Sequence, residues 1–84
     1  MRMMFSPGAW EDYLHWQDTD QKIVGRINAL IKDTSRNPMS GIGKPEPLRH
    51  SLAGFWSRRI TAEHRMVYKI EDGSLLLVQL RYHY

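Results

Sequence analysis

The sequence contains no cysteine, and this absence excludes two kinds of site. Without thiols the chain cannot form a disulfide framework, and it cannot build a zinc site on thiolate ligands. The four histidines are scattered along the chain without the spacing of a ligand pair, so we expect no metal site and no cofactor. A chain without cysteine also suits a reducing compartment.

The sequence also lacks a long apolar run. A membrane-spanning helix needs about 18 or more apolar residues in succession, and no stretch of this chain reaches that length. The N-terminus has no apolar segment of the kind found in a signal peptide. We therefore expect a cytoplasmic protein that makes no use of a membrane.

The composition is nevertheless that of a folded protein. Of the 84 residues, 42% are hydrophobic, and three are tryptophan. This content argues against disorder, and the length suits one domain, which we assign to residues 1–84. A chain this short buries a modest core, so we expect marginal stability that a bound partner would raise.

Charge is distributed unevenly along the chain. Residues 9–20 carry four acidic side chains and no lysine or arginine. Residues 44–69 carry two acidic side chains, Glu46 and Glu63, and six basic ones: Lys44, Arg49, Arg58, Arg59, Arg65 and Lys69. This excess predicts a basic surface, for which a polyanion such as RNA is the natural ligand. The alternative is that these residues only solvate an antiparallel sheet.

Two helices are predicted after a short strand at residues 2–5. Ser6 followed by Pro7 is typical of a helix start, and the apolar side of this first helix should carry Trp10, Tyr13, Leu14 and Trp16. Asp20 offers a second cap, and apolar residues at helical spacing predict a helix over 20–36. Asn37 and Pro38 should end it.

Residues 38–47 are predicted to form a stiff loop. The segment has three prolines and two glycines, and Glu46 stands between Pro45 and Pro47. Each proline fixes its own φ and restricts the residue before it, so the main chain of Glu46 should be nearly immobile.

The rest of the chain predicts an antiparallel run of strands. We expect strands over 55–61, 64–70 and 74–83, with Asp72 and Gly73 forming the hairpin turn between the last two. The order of elements predicts an α+β fold in which two N-terminal helices pack on an antiparallel sheet. The last strand would carry its polar end to the sheet margin.

Alternation along the last strand predicts which face is buried. Leu76, Val78, Leu80 and Tyr82 should pack on the helices, while Gln79, Arg81 and His83 should point outward. A strict two-residue turn would set Arg65 opposite Leu80, on the buried face. We therefore predict a bulge or a longer turn that brings Arg65 near Arg81 instead.

The residue types suit cleavage of RNA by its own 2′-hydroxyl. This reaction needs a base for that hydroxyl, an acid for the leaving 5′-oxygen and positive charge for the phosphoryl oxygens. Glu46 is a candidate base because a carboxyl is ionised at neutral pH. His83 is a candidate acid, and Arg65 can bind phosphate oxygens bidentately. Arg59 and Arg81 would add positive charge, and Tyr84 would orient the phosphate or the imidazole.

Each candidate also has a purely structural interpretation. Glu46 can be a solvated loop carboxylate, Arg65 a surface strand residue, and His83 with Tyr84 a disordered tail. We assign no role to His15, His50 or His64. The residue types alone leave these alternatives open.

Long blocks of sequence carry a family resemblance. The chain resembles the YoeB toxins of the RelE/ParE superfamily, the toxin half of type II toxin–antitoxin pairs, over essentially its whole length. The blocks are Asp12-Tyr13-Leu14, Trp16-Gln17, residues 28–34, Gly43-Lys44-Pro45-Glu46-Pro47-Leu48, residues 54–61, Glu63-His64-Arg65 and Arg81-Tyr82-His83-Tyr84.

The resemblance implies a fold, an activity and a set of roles. The fold would be a small sheet like that of microbial ribonucleases with two helices at one face. The activity would be cleavage of mRNA in the ribosomal A site to a 2′,3′-cyclic phosphate. Glu46 stands at the position of the general base, Arg65 at that of the phosphate-stabilising arginine and His83 at that of the general acid. Tyr84 matches the tyrosine that organises the site.

The resemblance also implies partners. These are a cognate YefM-type antitoxin, the ribosome with its mRNA, a second copy of the chain in a homodimer, and operator DNA only through the antitoxin complex. We assign RNA contacts to Lys44, Arg49, Arg59 and Arg81; Arg49 stands where the family is expected to have lysine. Superfamily members that poison gyrase lack the set of Glu46, Arg65 and His83.

Two other functions compete with the endoribonuclease. One is a non-catalytic module of the same fold that binds RNA or antitoxin. The other is a regulator that acts only on DNA together with its antitoxin.

Overall fold

The computed structural model describes residues 1–84, which form two helices and a five-stranded sheet. The elements follow the predicted order along the chain. They are β1 (Arg2–Phe5), α1 (Pro7–Thr19), α2 (Gln21–Arg36), β2 (Glu46–Pro47), a short 3₁₀ turn (His50–Leu52), β3 (Trp56–Arg59), β4 (Arg65–Glu71) and β5 (Ser74–Gln79).

The strands lie in the order β1-β5-β4-β3-β2, and the sheet is mixed. Strands β3 to β5 pair antiparallel, as predicted, and so does the unpredicted β2 with β3, but β1 pairs parallel with β5. Parallel pairing needs a long connection, and the two helices lie in the chain between these strands. The α+β class is therefore confirmed, with one parallel strand at the sheet edge.

Both predicted helix caps are present. The Ser6 side chain accepts a hydrogen bond from the Ala9 N–H at 3.1 Å, with Pro7 in the first turn. The Asp20 carboxylate accepts from the N–H groups of Lys22 and Ile23 at 3.0 and 3.2 Å. These bonds satisfy main-chain donors that the first turn of a helix leaves free. The helix boundaries were thus encoded locally.

The core lies between the helices and one face of the sheet. Trp16, Ile27 and Leu30 of the helices pack there with Tyr68 of β4 and with β5. The predicted apolar side of α1 was wrong in part, because Trp10 and Leu14 remain 47% and 39% exposed. Neither helix has the length and apolar character that crossing a bilayer requires.

The buried face of β5 is the opposite of the predicted one. Leu75 and Leu77 are fully buried, whereas Leu76 and Val78 are only half-buried. Leu77 pairs with Tyr68, a core residue of β4, and directly opposite residues on neighbouring strands share a face. A run of three leucines is apolar on both faces, so alternation alone could not choose between them.

The predicted irregularity between β4 and β5 is present. Asp72 and Gly73 form the two-residue turn, and the pairing then shifts so that Tyr68 lies opposite Leu77 and Val67 opposite Gln79. The extra residue is a β-bulge, and it turns the following side chain, Leu80, back into the core. Arg65 lies beside the C-terminal segment, where its N–H donates to the Tyr82 carbonyl at 2.9 Å.

The last strand is shorter than predicted. It ends at Gln79 rather than His83, because the groups that follow bond to other elements. The Leu80 N–H donates to the Asp12 carboxylate at 3.0 Å, and the Trp16 indole donates to the Leu80 carbonyl at 2.8 Å. Residues 80–84, the C-terminal segment, are therefore fastened to α1 instead of continuing the ladder.

Arg58 is fully buried, which corrects its assignment to the basic surface. Its five N–H groups form five hydrogen bonds, so the buried charge has no unsatisfied donor. The acceptors are the Asp33 carboxylate at 2.6 Å, the Tyr68 hydroxyl, and the main-chain carbonyls of Asn37, Ser40 and Ile42.

These bonds fasten the loop that precedes Glu46. Gly41 passes so close to Asp33 that a Cβ would lie 2.0 Å from its Oδ2, and its φ of +123° also excludes other residues. The loop prediction failed only at its end, where Glu46 and Pro47 form a short edge strand on β3. An edge tolerates Pro47 because no ladder partner needs its missing N–H.

Candidate active site on the outer sheet face

Glu46 belongs to a row of side chains that crosses four strands. Glu46 pairs with Ser57, Ser57 with Val67, and Val67 with Gln79. The adjacent row, which includes Tyr68 and Leu77, faces the core, so this row faces the other way. We call this side the outer face.

Tyr84 comes from the end of the chain to the same row. Its hydroxyl donates to the Glu46 Oε1 at 3.4 Å and lies 3.2 Å from the Ser57 Oγ. The edge carboxylate, a strand hydroxyl and the C-terminal phenol thus form one hydrogen-bonded cluster. Two of these residues, Glu46 and Tyr84, were predicted to share a site.

Ser57 was not predicted from the sequence. It is 1% exposed, its hydroxyl is 3.2 Å from the Tyr84 hydroxyl, and the register between β2 and β3 sets Glu46 opposite it. A signal was available, since Ser57 precedes Arg59 by two residues and so shares its face. Nothing in the local sequence indicates that Glu46 would lie opposite it.

Two guanidinium groups lie further along the outer face. Arg59 of β3 is directly opposite Arg65 of β4, two residues along the strands from the pair of Ser57 and Val67. Like charges at such positions repel each other. Neither has a carboxylate partner, because the two ion pairs of the chain are Arg58–Asp33 and Lys69–Glu71. This uncompensated pair favours binding of an anion such as a phosphate.

Arg65 is more buried than its predicted role suggested, at 8% exposure. Its Nη1 donates to the carbonyls of Thr61, Ala62 and His64 at 2.7, 3.1 and 3.1 Å. No buried side-chain nitrogen or oxygen lacks a partner, so the Nε and Nη2 of Arg65 remain in contact with solvent. One side of the guanidinium is fixed, and the other is free for a ligand.

His83 is exposed and lies against Tyr84. The two ring centroids are 4.8 Å apart, and the His83 Nδ1 is 3.4 Å from the Tyr84 main-chain oxygen. His83 forms no hydrogen bond with Glu46 or Arg65. The structure therefore brings Glu46, Ser57 and Tyr84 together, places Arg59 and Arg65 on the same face, and leaves His83 at the solvent side of Tyr84.

A groove of about 550 Å³ runs from the cluster along the edge of the sheet. Arg49 lines it together with Glu46 and Tyr84, so one predicted RNA contact lies beside the carboxylate. His50, to which we had assigned no role, lines it as well. The groove offers an extended ligand both a cation and an apolar floor, which is formed by Leu48 and Leu52.

The other predicted RNA contacts lie elsewhere. Arg81 stacks on aromatic rings, with its guanidinium carbon 4.6 Å from the Tyr82 centroid and 5.9 Å from that of Trp16. Lys44 is exposed on the loop two residues before Glu46, outside the groove lining. Arg59 is exposed on the outer face beside Arg65.

Two residues with shifted pKa values, Asp33 and Tyr68, contact Arg58. The hydrogen bond from Arg58 holds the pKa of Asp33 below its ordinary value of 3.8, with a further contribution from the Ile42 N–H. Burial raises the pKa of Tyr68 above 10.0, against an opposing hydrogen bond from Arg58. Both belong to the buried cluster that anchors the loop leading to Glu46.

The side chains on this face suit acid–base chemistry on a phosphodiester. A carboxylate can accept a proton, and an imidazole can donate one. Two arginines that lack a carboxylate partner can bind the negative charge of a phosphate. The bidentate fork of a guanidinium matches the geometry of phosphate oxygens.

Comparison with known proteins places this geometry among bacterial toxins. A family model described as "YoeB-like toxin of bacterial type II toxin-antitoxin system" matches residues 5–84. The Toxin YoeB of Escherichia coli K12 is 61% identical over 84 residues, which cover all of both chains.

Solved structures agree with that match. A YoeB/ParE toxin from Agrobacterium tumefaciens superimposes with a TM-score of 0.97 at 49% identity over all of both chains. YoeB from Staphylococcus aureus does so in a YoeB–YefM complex (TM-score 0.92, 45% identity) and as a dimer (TM-score 0.93, 46% identity), each time over 100% of this chain and 98% of that one.

Proposed function

This chain belongs to the YoeB-like toxins of bacterial type II toxin–antitoxin systems, and we propose that it is a ribosome-dependent endoribonuclease that cleaves mRNA in the A site. The observation that carries the proposal is the outer face. There Glu46, bound to Tyr84, shares one side of the sheet with an arginine pair that has no counter-ion.

The first step needs a base and a nucleophile that the RNA itself supplies. Glu46 accepts the proton of the 2′-hydroxyl, and the 2′-oxygen attacks the adjacent phosphorus. The bond between phosphorus and the 5′-oxygen breaks, and His83 donates a proton to that oxygen. The products are a 2′,3′-cyclic phosphate and a free 5′-hydroxyl, so charge and protons balance without metal or water.

Positive charge stabilises the phosphoryl oxygens in the transition state, between the attack of the 2′-oxygen and the departure of the 5′-oxygen. Arg65 is suited to this role because Nη1 is anchored to the main chain while Nε and Nη2 remain free. Arg59 adds a second charge from the opposite strand. Tyr84 orients Glu46 through its hydroxyl, and the exposed imidazole of His83 is accessible to the leaving oxygen.

The separation of the proposed base and the phosphate-binding arginine would explain a requirement for the ribosome. Glu46 and Arg65 are two strands apart and two residues displaced, on the order of 12 Å between their Cα atoms. A flexible RNA strand would seldom hold one phosphodiester across that span. The ribosome would present the message already bent, so that the toxin supplies only charge and proton transfer. Lys44, Arg49 and Arg81 would contact ribosomal or messenger RNA.

The partners follow from the relatives. S. aureus YoeB forms a complex with YefM and also occurs as a dimer, and we expect this chain to bind a cognate YefM-type antitoxin and to form a homodimer. Operator DNA would be bound only by the complex. The activity requires translating ribosomes and therefore the cytoplasm.

Purified protein added to programmed ribosomes tests the proposal. We expect new mRNA 3′ ends in the A-site codon that carry a cyclic phosphate, and about a 100-fold or greater loss in Glu46→Ala, Arg65→Ala and His83→Gln. Glu11→Ala and His15→Gln, on helix α1, serve as matched controls that should cleave normally.

Binding of ribosomes should persist in the inactive variants. Cleavage that survives all three substitutions would refute the assigned roles. Ribosome binding by the wild-type protein without any cleavage would instead indicate the non-catalytic module.

A further inference from the structure

His64 lies in the turn between β3 and β4, outside the candidate site, and its ring bonds to the C-terminal segment. The Nδ1 of His64 accepts a hydrogen bond from the Tyr82 N–H at 2.7 Å. The ring packs edge-on against Trp16, with centroids 4.9 Å apart, and lies 5.9 Å from the ring of Tyr82. Its main chain is fixed as well, since its N–H donates to the Thr61 hydroxyl and its carbonyl accepts from Ile60 and Thr61.

Tyr82 is the point at which the chain turns toward the site. Its φ is +65°, a left-handed conformation that a tyrosine seldom adopts. Its carbonyl accepts from the Arg65 N–H at 2.9 Å and from the Gln79 amide at 3.3 Å. With the His64 bond, both main-chain groups of Tyr82 are held, and the next two residues are His83 and Tyr84.

The geometry specifies the protonation state of His64. A ring nitrogen that accepts a hydrogen bond carries no proton, so the proton of the neutral ring lies on Nε2. A protonated ring would direct an N–H at the Tyr82 N–H, and the bond would be lost. Acidification should therefore weaken the hold on the turn.

Other titratable or charged groups lie on the elements that pack against His64 or next to it in the chain. Helix α1 contributes His15, which also packs on Trp16, and Asp12, which accepts from Leu80. Arg81 lies over the rings of Trp16 and Tyr82. Glu63 and Arg65 flank His64 in the chain.

We propose that neutral His64 is a positioning residue: it holds the turn at Tyr82 that presents His83 and Tyr84 at the site, and its protonation releases them. The catalytic consequence rests on the proposed function, whereas the structural part does not. His64 would therefore make the assembly of the site depend on pH, separately from the proton transfer by His83.

Two substitutions separate the hydrogen bond from the bulk of the side chain. His64→Asn places an amide oxygen near the position of Nδ1, so it retains an acceptor that cannot be protonated. His64→Leu retains apolar volume beside Trp16 and removes the acceptor. His15→Asn is the matched control, since the His15 side chain forms no hydrogen bond to the C-terminal segment.

The first measurement needs no ribosome. The amide resonances of Tyr82 and Tyr84 are followed by NMR from about pH 8 to about pH 5, the range in which an imidazole titrates. In the wild type and in His15→Asn, the Tyr82 amide should move together with the ring resonances of His64. In His64→Asn the Tyr82 amide resonance should stay constant over the same pH range. A Tyr82 amide that does not follow His64 would overturn the proposal, even if His64→Leu did not fold.

The second measurement is cleavage on ribosomes near neutral pH. We expect kcat to fall about tenfold in His64→Leu with KM little changed, and to stay within about twofold of the wild type in His64→Asn. Equal losses in both variants would contradict the positioning role. If the NMR result holds and the wild type cleaves no mRNA, the proposed function fails while His64 still positions the segment.

Discussion

Arg58 and Arg59 are neighbours in the chain and have opposite environments. Arg58 is buried against Asp33 and the loop before Glu46, whereas Arg59 is on the outer face opposite Arg65. Consecutive strand residues point to opposite faces, so one of any two neighbours must enter the core. The cost of burying Arg58 is offset because each of its N–H groups has an acceptor. Two neighbouring arginines therefore differ in role: Arg58 stabilises the fold, and we propose that Arg59 binds RNA.

The Arg58–Asp33 pair should make stability depend on pH. Asp33 has a pKa below 3.8 in the folded protein, so the pair contributes fully above that pH and is lost as the pH falls through the folded-state value. Asp33→Asn should lower the free energy of unfolding at pH 7, and the difference from the wild type should shrink below about pH 4. Urea denaturation across this pH range measures the difference in the free energy of unfolding. Asp18→Asn is the control, because the Asp18 side chain forms no hydrogen bond or ion pair. A difference that is constant with pH would contradict the assigned cause.

Ser57 should matter for catalysis more than for folding. Its hydroxyl is within 3.2 Å of the Tyr84 hydroxyl, which in turn bonds to Glu46. We expect Ser57→Ala to reduce cleavage about fivefold, which corresponds to one hydrogen bond of roughly 1 kcal/mol. Exposed Ser51 gives the control variant Ser51→Ala. If single-turnover assays on ribosomes give equal rates for the two variants, Ser57 does not orient Tyr84.

Strand β5 illustrates how an element takes its orientation from its neighbours. Its run of leucines favours a strand, and the start of the strand and its hairpin turn were predicted correctly, although the strand ends at Gln79 rather than His83. The choice of buried face was wrong, because it depends on pairing with Tyr68 and with Phe5 of β1, which is 72 residues away from Leu77. The bulge then sets which later residue returns to the core. Long-range pairing decided what alternation could not.

Two leucines of β5 test this orientation. Leu77 is fully buried and Leu76 is half-buried, so Leu77→Ala should lower the free energy of unfolding by about 3 kcal/mol and Leu76→Ala by about 1 kcal/mol or less. Chemical denaturation of the two variants gives both values. A larger loss for Leu76→Ala than for Leu77→Ala would show that Leu76 is on the buried face, as alternation had predicted.

The two faces of the sheet carry different sets of residues. One face is covered by the helices and holds the core, and the other carries Glu46, the arginine pair and the approach of the C-terminal segment. The net charge of +3 is modest, so the arrangement of charge matters more than its sum. In the proposed function the arginine pair on the outer face attracts RNA, while the covered face stabilises the fold.

Binding to ribosomes should accordingly weaken as salt rises. Each arginine that contacts a phosphate contributes about one unit to the slope of log K against log salt concentration. Arg59→Ala and Arg49→Ala should each reduce the magnitude of that slope by roughly one unit. Sedimentation or fluorescence measurements of ribosome binding at several salt concentrations give the slope. Exposed Lys22 of α2, on the covered side, gives the control Lys22→Ala. Unchanged slopes would show that these two arginines do not contact RNA.

Local chemistry was enough to predict the helix caps at Ser6 and Asp20, the hairpin at Asp72, the loop that precedes Glu46 and the bulge, because each depends on residues close in the chain. Family resemblance implied the catalytic roles of Glu46, Arg65 and His83, which stay predictions. The burial of Arg58, the face of β5, the role of Ser57 and the hydrogen bond from Tyr82 to His64 appeared only in the folded chain. Each arises from contacts between segments far apart in sequence, and no local propensity encodes which partner a strand or a C-terminal segment will meet.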